Sequence, residues 1–221
     1  MIYDNITPAV FLDRPNRFIA HVDIGGHIET VHVKNTGRCK ELLIPGADVW
    51  LTAPCTDNRK TIYDLVAVRK GTLLINIDSQ APNKVVKEWL ATQGFDRIVP
   101  EYTYRESRID FFMERGSEKY LLEVKGCTLE VDGIGYFPDA PTERGVKHIR
   151  ELIKAVGEGY RAILAFVIQM DGVTEVRANV GTHPEFGEAL DEAKKAGVHI
   201  LCLPCHVEPD RLEILPGNEI I

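Results

Sequence analysis

No apolar run in this chain approaches the roughly 18 residues that a membrane-spanning helix needs. The opening residues, MIYDNITPAVFLDRPNRF, hold no basic segment followed by an apolar core, so no secretory leader is expected. Both absences point to a cytoplasmic protein with no membrane partner. Surplus positive charge is missing too: 26 Lys and Arg face 33 Asp and Glu, a net charge of −7. That balance excludes a coat protein that holds nucleic acid by bulk charge. It leaves room for a nucleic-acid enzyme, whose metal-holding carboxylates count as negative until the metal arrives. The five cysteines are an odd number and, without a leader, suit reduced thiols better than a disulfide framework. Cys202, Cys205 and His206 in CLPCH have the spacing of a haem-attachment sequence. They end a strand-like run, VHILCLP, with no export signal and no second ligand pair at zinc spacing, so ordinary small buried side chains are expected there.

The charge is unevenly spread. Residues 1–80 carry nine basic and nine acidic side chains, so the whole −7 lies beyond them. Those 80 residues alternate between strands and turns. RFIAHVDI and HIETVHVK flank Gly25-Gly26, a two-residue hairpin signal. ADVWLTA, TIYDLVAVRK and TLLINID follow, separated by Pro54, Asn58 and Gly71. Five short strands without a helix predict a small closed barrel of the OB type, a fold that often binds oligonucleotides on one face and as often serves as a scaffold.

From residue 81 the pattern changes. APNKVVKEWLATQGF places Val85, Val86, Trp89 and Leu90 at helical spacing, with Gly94 as the stop. Trp89, like Trp50, is expected in the core. Three strand-like runs follow, RIVPEYTY, RIDFFME and KYLLEVK, the last two joined by a turn at Arg115-Gly116-Ser117. After a loop, TERGVKHIRELIKAVGEG sets Val146, Ile149, Ile153 and Val156 on one stripe, with Thr142 as N-cap. RAILAFVIQ then reads as a fully buried strand. A short strand at TEVRANV, a helix over 184–196, the strand VHILCLP and a polar tail complete the chain. The expected class is therefore all-β followed by α/β: an OB-like domain over 1–80, then an αβββαβ domain with a mixed sheet over 81–221.

Chemistry concentrates in RIDFFMERGSEKYLLEVKG. Strand alternation puts Glu123 and Lys125 on one face and Leu122 and Val124 on the other. If the second and third strands form a hairpin, Asp110 comes beside Glu123. Two carboxylates that close repel unless a cation sits between them, and Mg²⁺ (or Mn²⁺) is the natural guest. Lys125 would orient a metal-bound water or offset charge on a phosphorane-like transition state. A plain ion pair between Glu123 and Lys125 on an edge strand is the competing reading. On the following helix, Arg144 and Lys147 lie in the first turns, where a helix N-terminus favours phosphate. His148 shares the face of Arg144 and Glu151, and this trio of Arg144, Lys147 and His148 is the expected nucleic-acid contact.

The element order, with Asp, a spacer and Glu-x-Lys, resembles the PD-(D/E)xK nuclease superfamily. The runs SRIDF, LLEVKGCTLE and GYFPDAPTERGVKHIRELI, with NTG and PG at 35–46 and NKVVKE at 83–88, closely resemble the sugar fermentation stimulation protein A family over essentially the full chain. That resemblance implies an OB-like domain joined to a nuclease-like domain, and DNA, with RNA as a further partner. It implies a metal-dependent nuclease or, alternatively, a non-catalytic DNA-binding regulator of sugar-utilisation genes built on a nuclease scaffold. Asp110, Glu123 and Lys125 match the metal and catalytic positions, and Glu88 matches an extra acid that many superfamily members carry on the first helix. The chain departs from the pattern at Gly126, where a larger polar residue is expected.

Overall fold

The computed structural model describes residues 1–35, 37–54 and 60–220. Thr36 of NTG and the separator Asn58 lie outside the described residues. Strands β1 (Ile6–Asn16), β2 (Ile19–Ile24), β3 (His27–Val33), β4 (Asp48–Thr52), β5 (Asp64–Lys70) and β6 (Leu73–Asn76) form the first sheet. The antiparallel pairs β1–β2, β2–β3, β1–β4 and β4–β5 are joined by a parallel pairing of β3 with β5 at His32↔Asp64 and Val33↔Leu65. The pairings thus run in a ring, β1–β2–β3–β5–β4, with β6 added outside β5.

This corrects the strand count. The sequence pattern omits β1 and takes β6 as the fifth ring strand. Pro8 and Pro15 disguise β1, because a proline inside a run argues against a strand. The β2–β3 turn is as expected: Gly25 and Gly26 have φ of 60° and 93°, a backbone that side chains with a Cβ seldom adopt.

The second sheet has the order β15-β14-β12-β9-β8-β7 and is mixed. Its strands are β7 (Arg97–Tyr104), β8 (Ser107–Arg115), β9 (Glu118–Cys127), β12 (Arg161–Ile168), β14 (His199–Glu208) and β15 (Arg211–Ile214). β12 runs parallel to β9 and to β14, while the β7–β8, β8–β9 and β14–β15 pairs are antiparallel. Helix α1 (Ala81–Leu90) packs Val85, Val86 and Leu90 with Leu122, Val124 and Ile163. Helices α2 (Glu143–Gly157) and α3 (Pro184–Ala196) pack with Leu121, Leu164 and Phe166, the alternate set of side chains. Two-residue alternation along β9 and β12 therefore supplies one apolar layer to each side of the sheet.

Two elements were hidden in stretches read as a loop and a polar tail. A hairpin, β10 (Leu129–Val131) and β11 (Ile134–Phe137), joins β13 (Val176–Ala178) in a small third sheet, and β15 is the last strand. β10, β11 and β15 are each three or four residues long, too short for periodicity to show. The two large sheets share a core. Ile75 bridges to Met170, and Cys127, Ile168, Met170 and Val173 are buried with Val31, Leu51 and Ile75.

Candidate metal centre

The β8–β9 ladder pairs Phe111 with Leu122 through to Arg115 with Glu118. One step further along that register Asp110 faces Glu123. The contact is closed through the backbone: Val124 N–H donates to Asp110 Oδ2 at 2.7 Å. Asn83 of α1 donates to Asp110 Oδ1, also at 2.7 Å. Asp110 is half-buried, and burial followed by the Glu123 charge pushes its carboxyl above the ordinary carboxylate value, despite the Val124, Asn83 and Lys125 contacts.

Glu123 is 2% exposed. β9 lies inside the sheet between β8 and β12, so the competing reading of a solvated ion pair on an edge strand fails. Lys125 Nζ donates to Glu123 Oε1 at 2.5 Å, and His148 Nδ1 reaches the same oxygen from α2. Burial alone would raise the Glu123 carboxyl. The His148 hydrogen bond and the Lys125 charge outweigh it and hold the group below its ordinary value. The second oxygen, Oε2, is buried and meets no hydrogen-bond partner among the described residues. A buried carboxylate oxygen left unpaired is costly. It is also what a cation site needs before its cation arrives.

His148 is positioned rather than presented. Arg144 Nε donates to His148 Nε2 at 3.3 Å, which leaves the ring proton on Nδ1 to donate to Glu123. The local fold follows from the cap: Thr142 Oγ1 accepts from Gly145 N–H at 3.0 Å, starting α2 where residues 144 and 148 share a face.

The structure therefore gathers Asp110, Glu123 and Lys125 and does not gather the rest as expected. Glu88 is a correction. Its carboxylate pairs with the Met1 ammonium at 2.8 Å and lines a separate groove with Arg211 and Glu213. Asn83 is the α1 residue at the centre; Glu88, five residues on, points about 140° further round the helix. His148 is a second correction, since a ring 6% exposed and bonded to Glu123 is not offered to nucleic acid. Arg144 is exposed and keeps both terminal amino groups without a partner among the described residues; Lys147 is exposed and makes no hydrogen bond or ion pair to the centre among the described residues. Sequence reasoning missed Asn83, although it lies in the NKVVKE run.

Gly126 has a steric cause. A Cβ there would lie 2.4 Å from Gln169 Oε1 and 2.8 Å from Pro82. The CLPCH residues do not converge: three positions apart on β14, Cys205 is buried in one face's core and half-buried Cys202 packs on the other.

Family models match two stretches: the SfsA N-terminal OB domain over residues 12–77, and the sugar fermentation stimulation protein RE domain over residues 80–211. The chain belongs to the sugar fermentation stimulation protein family. It is 54% identical over 216 residues to the family's homolog from Desulfitobacterium hafniense, covering 96% of this chain and 95% of that one. To the Clostridium beijerinckii homolog it is 51% identical over 225 residues, with both chains fully covered. Among solved structures, Pyrococcus furiosus SfsA in complex with Ca²⁺ superposes with a TM-score of 0.85 at 31% identity, covering 97% of this chain and 96% of that one. The matched stretches thus set an OB domain ahead of a domain built on the mixed second sheet.

The donor set suits a hard divalent ion. Among the described residues no three His, Cys, Asp or Glu side chains are arranged around one point. Two carboxylates remain, Asp110 and Glu123, and Mg²⁺ is characteristically held by one or two carboxylates while waters and substrate phosphates fill its shell.

Proposed function

We propose that this family member is a divalent-metal-dependent nuclease that hydrolyses phosphodiester bonds in DNA, RNA or both. The observation that carries the reading is the buried Oε2 of Glu123, without a hydrogen-bond partner among the described residues, beside a second carboxylate and an ammonium. Asp110 and Glu123 would hold Mg²⁺ or Mn²⁺. The relative from Pyrococcus furiosus, solved with Ca²⁺, another oxygen-seeking cation, supports this chemistry for the fold.

When bound, the ion supplies Lewis acidity toward a phosphoryl oxygen and makes water a better nucleophile near neutral pH. The protein's own groups do the rest. Lys125 holds a positive charge beside the carboxylates, where it offsets negative charge developing on the phosphoryl group. His148 and Arg144 fix the rotamer of Glu123, so that Oε2 is aimed before any ligand enters. The terminal amino groups of Arg144 are free to take a phosphate oxygen by paired hydrogen bonds. Asn83 and the Val124 N–H hold Asp110 from two directions, one on α1 and one on β9.

Purified protein incubated with labelled single- and double-stranded DNA and RNA should cut in Mg²⁺ or Mn²⁺ and not in EDTA. Asp110→Asn should remove cutting while the unfolding temperature stays near that of the parent; Lys125→Met should remove it too, at a cost in stability, because it leaves the Glu123 charge buried. Cutting that persists in Lys125→Met and in Asp110→Asn would contradict the proposal. Tight binding without cutting in any metal would instead leave the DNA-binding regulator.

A further inference from the structure

Two concavities adjoin each other near the candidate metal centre, and Asp110, Glu123 and Lys125 line neither. The first, a cavity of about 320 Å³, lies between the OB ring and the second sheet and is lined by Pro82, Gly126, Asp139 and Gln169, among others. Its lining adjoins the centre in sequence, since Gly126 follows Lys125 and Pro82 precedes Asn83, with Gly126 on the strand face opposite Glu123 and Lys125. Gln169 is 2% exposed, and its Nε2 donates to Asn76 O, Asn76 Oδ1 and Asp78 O at 3.0, 3.0 and 3.1 Å. Those three acceptors fix the amide's orientation. Oε1 must then face Gly126 and the cavity, and it accepts no hydrogen bond from the described residues.

The second is a groove of about 790 Å³ on the OB ring, which shares Gly37 and Ala140 with the cavity. Four cations line it in a chain of net charge −7: Arg14, Arg17, Arg38 and Lys40. Arg14 is spent on structure, donating to the carbonyls of Arg17, Asn35, Gly37 and Arg38 at 2.6–2.9 Å. Arg17, Arg38 and Lys40 are exposed and have no acidic partner among the described residues. The one carboxylate on the lining, Asp13, is paired with His21 at 2.9 Å.

Resting on the nuclease reading of the metal centre, we infer that a single strand of nucleic acid runs along this path. One unpaired base sits in the interdomain cavity, giving N–H groups of its edge (ring N–H of guanine, thymine or uracil, amino N–H of adenine or cytosine) to Gln169 Oε1 and the Asp139 carboxylate. The neighbouring phosphates lie against Arg17, Arg38 and Lys40, and the scissile phosphate reaches Asp110 and Glu123. The cavity has the volume for a base and not for a base-paired duplex, which makes single-stranded DNA or RNA, or an unpaired end, the substrate. Acceptors on the lining meet an N–H that every base can present, so little sequence preference is expected. A positively charged groove that follows the backbone beside a pocket for bases is how OB domains take single strands.

The test is fluorescence anisotropy in EDTA, where no cutting intervenes, with labelled single-stranded DNA, single-stranded RNA and duplex of about 12 nucleotides, a length suited to one OB fold. Single strands should bind more tightly than duplex. Arg17→Ala, Arg38→Ala and Lys40→Ala combined should weaken single-strand binding by about tenfold or more and lower the log-log salt slope by about 2, close to 0.7 for each phosphate released. Ala140→Trp, which fills the junction of cavity and groove, should weaken the same binding while Mn²⁺ affinity stays at the parent value. If Ala140→Trp fails to fold, the triple variant, made only of exposed side chains, decides alone. Parental affinity and salt slope in the triple variant would overturn the path, as would duplex binding equal to that of single strands. Asp110→Asn separates the two readings. Loss of cutting with retained binding supports both, and continued cutting overturns the metal centre while the binding measurements still judge the path.

Discussion

Two of the buried polar clusters among the described residues are built oppositely. At the junction of the two sheets, Asp78 is fully buried and every oxygen is engaged: Lys34 Nζ at 2.9 Å, the Tyr3 hydroxyl at 3.2 Å and Gln80 N–H at 2.9 Å. Asn76 donates to the Tyr3 oxygen at 2.9 Å and Gln169 ties Asn76 to the end of β12. Burial, then the Asp78 charge, pushes the Tyr3 hydroxyl far above its ordinary value, so it stays a neutral donor. At the candidate metal centre two carboxylates face each other, one with its pKa pushed up and the other with an oxygen that meets no hydrogen-bond partner among the described residues. A polar cluster that is complete without a ligand is scaffold. One that is incomplete awaits something.

The sharpest way to break this contrast is to neutralise one member of each cluster. Asp110→Asn should lower the nuclease rate by on the order of 10³, the size of loss seen when a preorganised electrostatic group is removed. Its metal-free stability should stay within about 1 kcal/mol of the parent or rise, because the change relieves a carboxylate that burial and Glu123 disfavour. Lys34→Met should do the reverse. It leaves the Asp78 charge buried beside a methionine and should cost about 3 kcal/mol in urea unfolding, with the metal centre's affinity for Mn²⁺ intact. Equal stability losses in the two variants would erase the distinction between scaffold and site.

A third tie gives the weakest effect. Lys70 of β5 donates to Glu130 Oε2 and Glu130 O on β10 at 2.7 and 2.8 Å, near the surface. The Lys70 hydrogen bond, followed by that from Gly133 N–H, lowers the Glu130 carboxyl below its ordinary value. A carboxyl lowered on folding contributes stability above its unfolded pKa and loses it as pH falls through the folded one. Lys70→Met should therefore cost no more than about 1 kcal/mol at neutral pH, as expected for a solvent-screened pair. That difference should close as acid unfolding is followed below about pH 4, near the ordinary glutamate value.

Much of this organisation was legible in the residues. Alternation in YLLEVK placed Glu123 and Lys125 together, and the Arg115-Gly116-Ser117 turn brought Asp110 to them, because hairpin register is set locally. What escaped depended on three-dimensional neighbours. Burial of Glu123 comes from β12 pairing with β9 forty residues downstream, which no local pattern records. Glu88 and Asn83 differ only in helical phase relative to a sheet edge, and both are polar, so composition could not choose between them. His148 was legible as sharing a helical face with Arg144 and Glu151, yet its direction was set by where α2 crosses the sheet. β1 was masked by its prolines, and the β10–β11 hairpin by its brevity.

The most direct measurement is calorimetric titration of Mn²⁺ into the metal-free protein and into Glu123→Gln. One site per chain in the parent, with binding abolished or weakened at least about a hundredfold in the variant, is the expected result, because an amide replaces the charged donor that Oε2 represents. Equal affinity in the two proteins, or no binding to the parent, would show that the orphaned oxygen of Glu123 is not the seat of a cation.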